Sequence, residues 1–508
     1  MKRISHKQSR RNSAQRKGKV AARHSRAGHW SPQLQPMFNS GKVHYEIGAN
    51  TDAMSFGGIG AVHRLVTKLG LPEGIDQKLK LLKVHLPYHE SDHVLNLCYN
   101  VLSGGTRLED IERLRHDTAY MNALGADLIP DPTTAGDFCR RFGEADVIQL
   151  MECINAVRPQ LWSGRGRELL ESMTYIDVDG TLAPTYGEKK AGMDISYKGT
   201  WGYAPLIVSV ANTREVLYLV NRPGNAPSHT NAADWIDKAI DQVEDYTERV
   251  CVRGDTDFAL TANFDRWAAR ADFIFGTDSI GALRARAEEL DEAAWQRLER
   301  KPRYVTRTGQ KRERRANEKK RIAREREYIN LELNLEDVAE FNYKPGKCKR
   351  EYRVVALRKN ISKMKGEHVL FDEIRYFFYI TTRTDLTAAE VVYCANERCD
   401  QENVIEQLKN GVNAMRVPLY DLVSNWAYMV IAALAWNIKS WFAMMMHRKS
   451  ERRSCIRLEF RAFIHSFILI PCRVIRRARS ITLRLIGYQP TIDRLFSAWN
   501  TIERTRFA

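Results

Sequence analysis

The sequence lacks the cysteine patterns that build disulfide frameworks or zinc modules. Nine cysteines are scattered over 508 residues, and no two of them have the CxxC spacing. The closest pair, Cys394 and Cys399, falls on a predicted helix. An odd number of cysteines without framework spacing is typical of reduced thiols. The pattern argues against a disulfide-rich secreted domain and predicts a protein of the cytoplasm.

Acidic residues are absent from the beginning of the chain. The first is Glu46, whereas residues 2–26 contain ten Lys or Arg. Over the whole chain, 79 Lys and Arg exceed 62 Asp and Glu, which gives a formal net charge of +17. Clustered positive charge favours a polyanionic partner. We predict that residues 1–45 form a flexible basic arm that contacts the phosphates of a nucleic acid, the alternative being a disordered, solvated tail. The candidate contacts on this arm are Arg10, Arg11 and Lys17.

Long uncharged runs are also scarce. No apolar segment near the first residues resembles a secretory signal. The longest candidate for a membrane span, Leu422 to Ile438, is slightly short and contains the polar residues Ser424, Asn425 and Asn437. We therefore predict a buried core helix at this position and no membrane partner.

The most informative feature that is present is a set of carboxylates that end short apolar strands. The first strand reads Met173 to Asp179, and alternation places Tyr175, Asp177 and Asp179 on one face. The second strand ends at Asp255, after Gly254. The order from residue 172 is strand, hairpin, helix, strand, helix and strand. This order predicts an α/β fold whose mixed sheet has crossover helices.

A third carboxylate falls on a helix far downstream. Arg398, Glu402 and Lys409 are separated by four and seven residues, so a regular helix would present all three on one face. Such a face places a carboxylate between two cations that can bind phosphates. The alternative is a solvated face with ordinary salt bridges. Three carboxylates on separate elements can hold two hard divalent cations, and the basic chain points to a phosphodiester substrate.

Together these motifs resemble the bacterial insertion-sequence transposases of the DDE type (transposase DDE domain, group one). The resemblance is carried by Asp179-Gly-Thr181, by Val252-Arg-Gly-Asp255 and by Arg398-x3-Glu402-x6-Lys409. It covers residues 172–446 and is interrupted by an insertion. One departure is Ala395, which stands where the family has a tyrosine three residues before the arginine.

The resemblance implies which acids are catalytic. Asp179 is preferred to Asp177 because the family's first acid precedes a small residue and a threonine. Asp255 is preferred to Asp257, since Asp255 follows its strand directly and Asp257 is expected inside the next helix. Asp177 and Asp257 remain the alternative ligands. Asp194 and Asp278 are interpreted as ordinary loop carboxylates.

The resemblance also implies a fold and a reaction. The fold is an RNase H-like sheet with flanking helices, and the expected cofactor is two Mg²⁺ ions per site, with Mn²⁺ able to replace them. The expected reaction is cut-and-paste transposition through a hairpin intermediate. The expected partners are double-stranded DNA, as terminal inverted repeats and target, and a second copy of the chain in the synaptic complex. The expected location is the bacterial cytoplasm, at the nucleoid. Alternatives are another RNase H-like nuclease and a non-catalytic DNA-binding protein derived from a transposase.

The domain organisation follows from composition and pattern. After the arm, 46–170 is predicted to be a helical DNA-binding domain, 171–282 and 386–447 the two parts of the catalytic core, 283–385 a basic insertion with strands, and 448–508 a basic helical region. The insertion contains thirteen Lys or Arg between Arg300 and Arg326. They predict a DNA clamp, with a salt-bridged exposed helix as the alternative. Candidate contacts in the clamp are Arg314, Arg315 and Lys320.

Overall fold

The computed structural model describes residues 6–27, 43–46, 52–187, 189–300, 321–322, 325–327, 329–478, 480–486 and 490–507, except for the side chains of 6–10 and 26–27. The chain divides into two compact units. Met1–Leu161, Gln407–Ala414 and Ala427–Ala508 make up what we call the terminal unit. Trp162–Glu406 and Met415–Trp426 make up the sheet unit. Each unit therefore combines segments that are distant in sequence.

The predicted flexible arm contains a helix. His6–Ala27 form α1, a helix that was not predicted from the sequence. The physical reason is composition, because Ala, Arg, Lys and Gln favour helices, and the segment has no proline and only one glycine, Gly18.

The region after α1 is helical, as predicted. The loop and cap expected at residues 130–134 are present: Pro132 begins a helix, and the Asp131 carboxylate accepts a hydrogen bond from the Thr134 backbone N–H at 2.9 Å. The helices are α2 (Ile59–Lys68), α3 (Leu71–Lys78), α4 (Glu90–Leu102), α5 (Ile111–Arg115), α6 (Thr118–Leu124), α7 (Pro132–Cys139), α8 (Glu144–Asn155) and α9 (Arg158–Trp162).

The two ends of the sequence build the terminal unit together. Strand β1 (Ala53–Met54) pairs with a strand near the C-terminus, Cys472–Arg477. In addition, the Lys68 ammonium at the end of α2 donates to the carbonyl oxygen of Thr505 at 2.7 Å. Residues 46–161 of the predicted N-terminal domain and the predicted C-terminal region 448–508 thus share one compact unit, whereas residues 162–170 belong to the sheet unit.

The C-terminal region is not wholly helical, which corrects the prediction. Val474 and Ile475 in one strand and Ile481 and Leu483 in the next lie in an antiparallel hairpin. Branched residues alternating with polar ones favour strands, and the arginines between them do not prevent pairing. The elements here are α17 (Lys449–Ile456), α18 (Phe460–Phe463), β14 (Cys472–Arg477), β15 (Ser480–Leu485) and α19 (Ile492–Arg504).

The sheet unit contains a mixed sheet whose described strands number nine. They are β2 (Thr174–Gly180), β6 (Leu206–Val210), β7 (Glu215–Val220), β8 (Val250–Gly254), β9 (Asp272–Thr277), β10 (Gln296–Arg297), β11 (Ile329–Tyr343), β12 (Tyr352–Lys365) and β13 (His368–Thr381). Their order across the sheet is β10-β11-β12-β13-β9-β8-β2-β6-β7. Strands β2, β8 and β9 are parallel, and the other pairings are antiparallel.

Helices connect and cover these strands. One amphipathic helix precedes β8 and buries Ile236, Ala239, Ile240 and Val243, as its sequence pattern predicts. The mixed sheet with crossover helices confirms the predicted RNase H-like α/β fold class. The helices are α10 (Arg167–Leu170), α11 (Ala232–Val243), α12 (Phe264–Trp267) and α13 (Gly281–Glu288), and a small sheet consists of β3 (Ala183–Pro184), β4 (Asp194–Ile195) and β5 (Trp201–Tyr203).

The predicted insertion extends the main sheet. Strand β13 pairs with β9, with Ile380 opposite Phe275. A charged helix expected to continue to Leu298 ends at Glu288, and Leu298 is buried beside Val391 in a core cluster. The strand Ile329–Tyr343 was not predicted, although Ile329, Leu331, Leu333 and Leu335 alternate with polar residues, which is the pattern of a strand. It pairs with β12 along its whole length.

The helix predicted from Ala388 to about Val412 is interrupted. Ala388–Glu397 form α14 and Cys399–Glu406 form α15, with Arg398 between them. A π-helical turn, Gln407–Gly411, follows. The expectation of one regular helix is therefore wrong.

The long apolar helix is a core element, as predicted. It spans Leu422–Met444 (α16), and every residue from Ser424 to Met444 is buried. Among the helices that the structure describes, none is long and apolar enough to cross a membrane. All nine cysteines are free thiols.

Candidate active site

Two of the predicted acids meet at one edge of the sheet. Strands β2 and β8 are parallel and in register up to the pair Asp177 and Arg253. Asp179 and Asp255 each lie two residues beyond that pair, so they are level at the carboxyl ends of adjacent strands. A third aspartate, Asp278, follows the end of the next parallel strand, β9. This edge concentrates negative charge.

Asp179 is largely enclosed at this edge. Its side chain is 16% exposed and accepts a hydrogen bond from the Arg398 guanidinium at 2.9 Å. Burial raises the pKa of Asp179 to about 6; the positive charge of Arg398 opposes the rise, and the negative charge of Asp255 adds to it. The two carboxylates are therefore close enough to repel each other.

Asp255 begins the turn after β8. Its carboxylate accepts from the backbone N–H of Asp257 at 3.0 Å and so caps the short helical turn Thr256–Phe258. Asp257 lies inside this turn, as predicted, and its side chain is exposed. Burial raises the pKa of Asp255, Arg398 opposes the rise, and Asp257 and Asp278 add to it. Asp278, interpreted from sequence as an ordinary loop residue, therefore contributes to the charge of this edge.

Glu402 lies one helical turn after Arg398, on the exposed side of α15. Among the described residues, Asp179, Asp255 and Glu402 do not form a trio whose ligand oxygens all lie within 4.8 Å of one another. The structure thus brings Asp179, Asp255 and Arg398 together and places Glu402 on the helix that begins next to Arg398.

A buried glutamine, not singled out by sequence reasoning, holds α15 against the sheet. Gln401 is 1% exposed, accepts a hydrogen bond from the Ser209 hydroxyl, and donates to the Ile207 carbonyl oxygen at 3.3 Å. Ile207 is the β6 residue that pairs with Asp179. Gln401 therefore fixes the helix of Glu402 relative to the strand of Asp179. The available signal was its position in the buried stripe of Val404 and Ile405, three and four residues on.

We expect Gln401→Leu to impair cleavage without loss of DNA binding. The substitution leaves the Ser209 hydroxyl and the Ile207 carbonyl without their partner, at a cost of about 1–3 kcal/mol, and lets α15 shift. Urea denaturation and a strand-cleavage assay measure the two effects. Asn403→Ala, on the exposed face of the same helix, is the matched control. Wild-type cleavage by Gln401→Leu would show that this contact does not position Glu402.

Asp177, an alternative ligand, already has its partners. Its carboxylate receives two hydrogen bonds from Arg253, at 2.7 and 2.9 Å, and the two side chains are 1% and 3% exposed. Arg253 also donates to the Cys394 carbonyl oxygen at 3.0 Å and lies over the Tyr175 ring at 4.5 Å. The pair joins β2 and β8 to α14, and Tyr175, Asp177 and Asp179 share one sheet face, as alternation predicts.

Lys409 does not share a regular helix face with Glu402. It lies in the π-helical turn, within the terminal unit. A π-helical turn holds more residues than an α-helical turn, so the seven-residue spacing no longer returns to the same face. The expected single face of Arg398, Glu402 and Lys409 is therefore wrong.

The other predicted DNA contacts are only partly described. Arg11 and Lys17 are exposed on α1. The side chain of Arg10 lies outside the described residues, and so do Arg314, Arg315 and Lys320 of the predicted clamp.

Trp295, the tryptophan of the insertion, packs within the sheet unit. It follows a short helical turn, Glu292–Ala294, and the Arg358 guanidinium lies 4.3 Å from its ring centroid. The Tyr376 ring lies 6.1 Å away. These contacts give Trp295 a packing role.

The donor atoms at the sheet edge fit a hard divalent cation. Asp179 and Asp255 offer carboxylate oxygens, which Mg²⁺ prefers, and their mutual repulsion is a charge imbalance that such a cation relieves.

Comparisons with known proteins identify the family of the chain. No curated protein matches the chain. A solved structure that is similar is described as a cryo-EM structure of the piggyBac transposase synaptic complex with hairpin DNA; it has 9% identity and a TM-score of 0.36, over 82% of this chain and 81% of that one. A family model described as transposase DDE domain group 1 matches residues 46–507. The protein therefore belongs to the group 1 family of DDE-domain transposases.

Proposed function

We propose that this protein binds the ends of its own insertion sequence, cleaves DNA there and joins the freed 3′ ends to target DNA. The observation that carries the proposal is the pair Asp179 and Asp255, level at the carboxyl ends of two parallel strands and facing Arg398. Family membership supplies the general reaction, and the geometry supports its location at this edge.

The proposed ligands for Mg²⁺ are Asp179, Asp255 and Glu402. A bound Mg²⁺ would supply an acidified water as the nucleophile and would stabilise the charge on the departing 3′ oxygen. Glu402 is exposed on α15, so its carboxylate is accessible to a cation.

Arg398 is proposed to change partners in the reaction. Its guanidinium neutralises part of the charge of Asp179 and opposes the rise that burial causes in the pKa of Asp255. When a cation takes over that role, the guanidinium is free to bind the phosphate being cut, which it can grip with two parallel hydrogen bonds.

The metal dependence tests the proposal. End-labelled DNA carrying the element's terminal sequence should be cleaved with Mg²⁺ or Mn²⁺ and not in excess EDTA. Ca²⁺ should support binding but little cleavage, because its looser coordination fits the two-metal geometry poorly. Full cleavage in EDTA would refute the metal mechanism, whereas Mg²⁺-independent binding without any cleavage would favour a non-catalytic DNA-binding protein.

The basic helix α1 is proposed to contact DNA phosphates. Replacing Arg11, Lys17 and Lys19 by glutamine should weaken DNA binding and flatten its salt dependence. Each lost phosphate contact removes about 0.9 from the slope of log affinity against log salt. Fluorescence anisotropy at several salt concentrations measures both quantities, and Gln15→Ala on the same helix is the control. An unchanged slope would contradict a role for α1 in DNA binding.

The finer features of the reaction rest on the family resemblance. We infer cut-and-paste excision with a hairpin on the excised end, carried out by two copies of the chain in a synaptic complex. The long strands β11 to β13 support the presence of a structured lobe near the cut DNA. The nine free thiols agree with the proposed location in the bacterial cytoplasm, where the DNA of the nucleoid is the proposed substrate.

A further inference from the structure

A second cluster of possible ligands lies in the terminal unit. His85, His89 and Glu90 each offer one ligand atom, and these three atoms all lie within 4.8 Å of one another. Among the described residues, this is the one group of three His, Cys, Asp or Glu side chains whose ligand atoms lie so close together. Two imidazoles and one carboxylate form a ligand set that binds transition-metal ions in preference to Mg²⁺.

The carboxylate of this cluster is buried and held in a fixed orientation. Glu90 is the first residue of α4, and its side chain is 1% exposed. Its Oε1 accepts hydrogen bonds from the backbone N–H groups of Leu81 and Leu82, both at 3.0 Å. Its Oε2 lies 3.0 Å from Nε2 of His85. One oxygen thus anchors the preceding irregular segment, and the other points at the imidazoles.

The second histidine is positioned by the beginning of the same helix. The His89 backbone N–H donates to Asp92 at 2.9 Å, which fixes the chain at the N-terminus of α4. The His85 and His89 rings are stacked, with centroids 4.4 Å apart and planes 16° from parallel. Both histidines are exposed, so a metal ion and one or more waters can reach them.

We propose that His85, His89 and Glu90 bind one transition-metal dication of the Zn²⁺ type, which clips the segment before α4 to the first turn of that helix. In a tetrahedral zinc site the ligand atoms are about 3.4 Å apart, as follows from Zn–N and Zn–O bonds near 2.1 Å. The 3.0 Å between His85 Nε2 and Glu90 Oε2 is already close to that value, and the ligand atom of His89 lies within 4.8 Å of those of the other two residues. A water completes the coordination.

A histidine beside a glutamate is not by itself a site, and the chain contains the comparison. His116 lies 2.8 Å from Glu112 one helical turn away, with side chains 71% and 46% exposed. That pair has neither a buried carboxylate nor a third ligand. His116→Ala is therefore the matched control for substitutions at His85 and His89.

The test is a zinc-binding measurement on the full chain in excess Mg²⁺, by equilibrium dialysis and elemental analysis. Wild type and His116→Ala should bind one more Zn²⁺ per chain than the double variant His85→Ala/His89→Ala. The variant's affinity at this site should fall at least about 100-fold. Equal zinc content in all three proteins would overturn the proposal.

Two further measurements keep the test decisive. Circular dichroism shows whether the variant is folded, and crystals of the wild type grown with Zn²⁺ should show an anomalous peak between His85, His89 and Glu90. An absent peak there, with zinc present, would also refute the site. Cleavage in Mg²⁺ should be unchanged in the double variant, because these residues take no part in the proposed chemistry. If the double variant lost Mg²⁺-dependent cleavage and still bound zinc like the wild type, the proposal would be wrong and the histidines would have another role.

Discussion

Replacing Asp179, Asp255 or Glu402 by alanine should abolish strand cleavage and leave binding to the element's ends largely intact. Each acid supplies oxygen ligands to the metal pair, and losing one removes several kcal/mol of transition-state stabilisation, which corresponds to at least about 1,000-fold in rate. Binding depends mainly on basic contacts elsewhere. A denaturing gel measures cleavage, and a gel shift measures binding.

The matched controls are acids that lie near the same edge without the proposed role. Asp257→Ala and Glu406→Ala should each retain most of the activity, since both side chains are exposed and Glu406 ends α15. If Glu402→Ala cleaves normally and Glu406→Ala does not, the third ligand is Glu406. Normal cleavage by Asp179→Ala would refute the proposed site as a whole.

The Asp179→Ala variant also tests the proposed role of Arg398 in phosphate binding. In the wild type the Arg398 guanidinium is paired with Asp179 at 2.9 Å. In the Asp179→Ala variant the Arg398 guanidinium loses this partner, so it can bind phosphate more readily. Asp179→Ala should therefore bind DNA at least as tightly as wild type, whereas Arg398→Ala should weaken it. The contrast would distinguish a lost ligand from a disturbed fold.

Much of the site could be predicted from local sequence patterns. Asp179 and Asp255 end runs whose alternation and β-branched residues specify strands, and carboxyl ends of parallel strands share one edge. Glu402 could be placed on a helix because apolar residues such as Val404, Ile405 and Leu408 recur at helical spacing. These are properties of a few neighbouring residues, which sequence displays directly.

The features that were missed depend on contacts between distant residues. Pairing of β13 with β9, about a hundred residues earlier, incorporates the insertion into the main sheet. The Ser209 to Gln401 hydrogen bond and the pairing of β1 with β14 are likewise non-local. Sequence periodicity reports which face of an element is buried, and it does not identify the partner.

This difference changes how the insertion should be tested. Removing residues 283–385 would delete β13, the strand that pairs with β9, and expose the buried residue Phe275. Loss of activity in such a deletion would reflect damage to the sheet. A shorter deletion confined to the outer ends of β11, β12 and β13 leaves the pairing with β9 intact and is the better variant for the hairpin hypothesis.

The second large effect is expected on stability, at the buried pair of Asp177 and Arg253. Removing one partner from a buried ion pair leaves an uncompensated charge and typically costs about 3–5 kcal/mol. Asp177→Asn and Arg253→Met should each destabilise the protein by this order, measured by urea denaturation. Arg249→Ala is the control, because Arg249 forms an exposed pair with Asp272 at 2.7 Å, and such pairs contribute at most about 1 kcal/mol.

The same substitutions decide between the two roles considered for Asp177. A metal ligand at this position would make Asp177→Asn abolish cleavage and the stabilisation by Mg²⁺ while leaving metal-free stability nearly unchanged. A structural role gives the opposite result, with a large loss of stability and a Mg²⁺-dependent rise in the unfolding midpoint that persists. The double variant Asp177→Leu/Arg253→Met should recover much of the stability, since two apolar side chains leave no unpaired charge. If the double variant is as unstable as both single variants combined, the ion pair is not the source of the effect, and the contacts of Arg253 with Cys394 and Tyr175 become the cause to test.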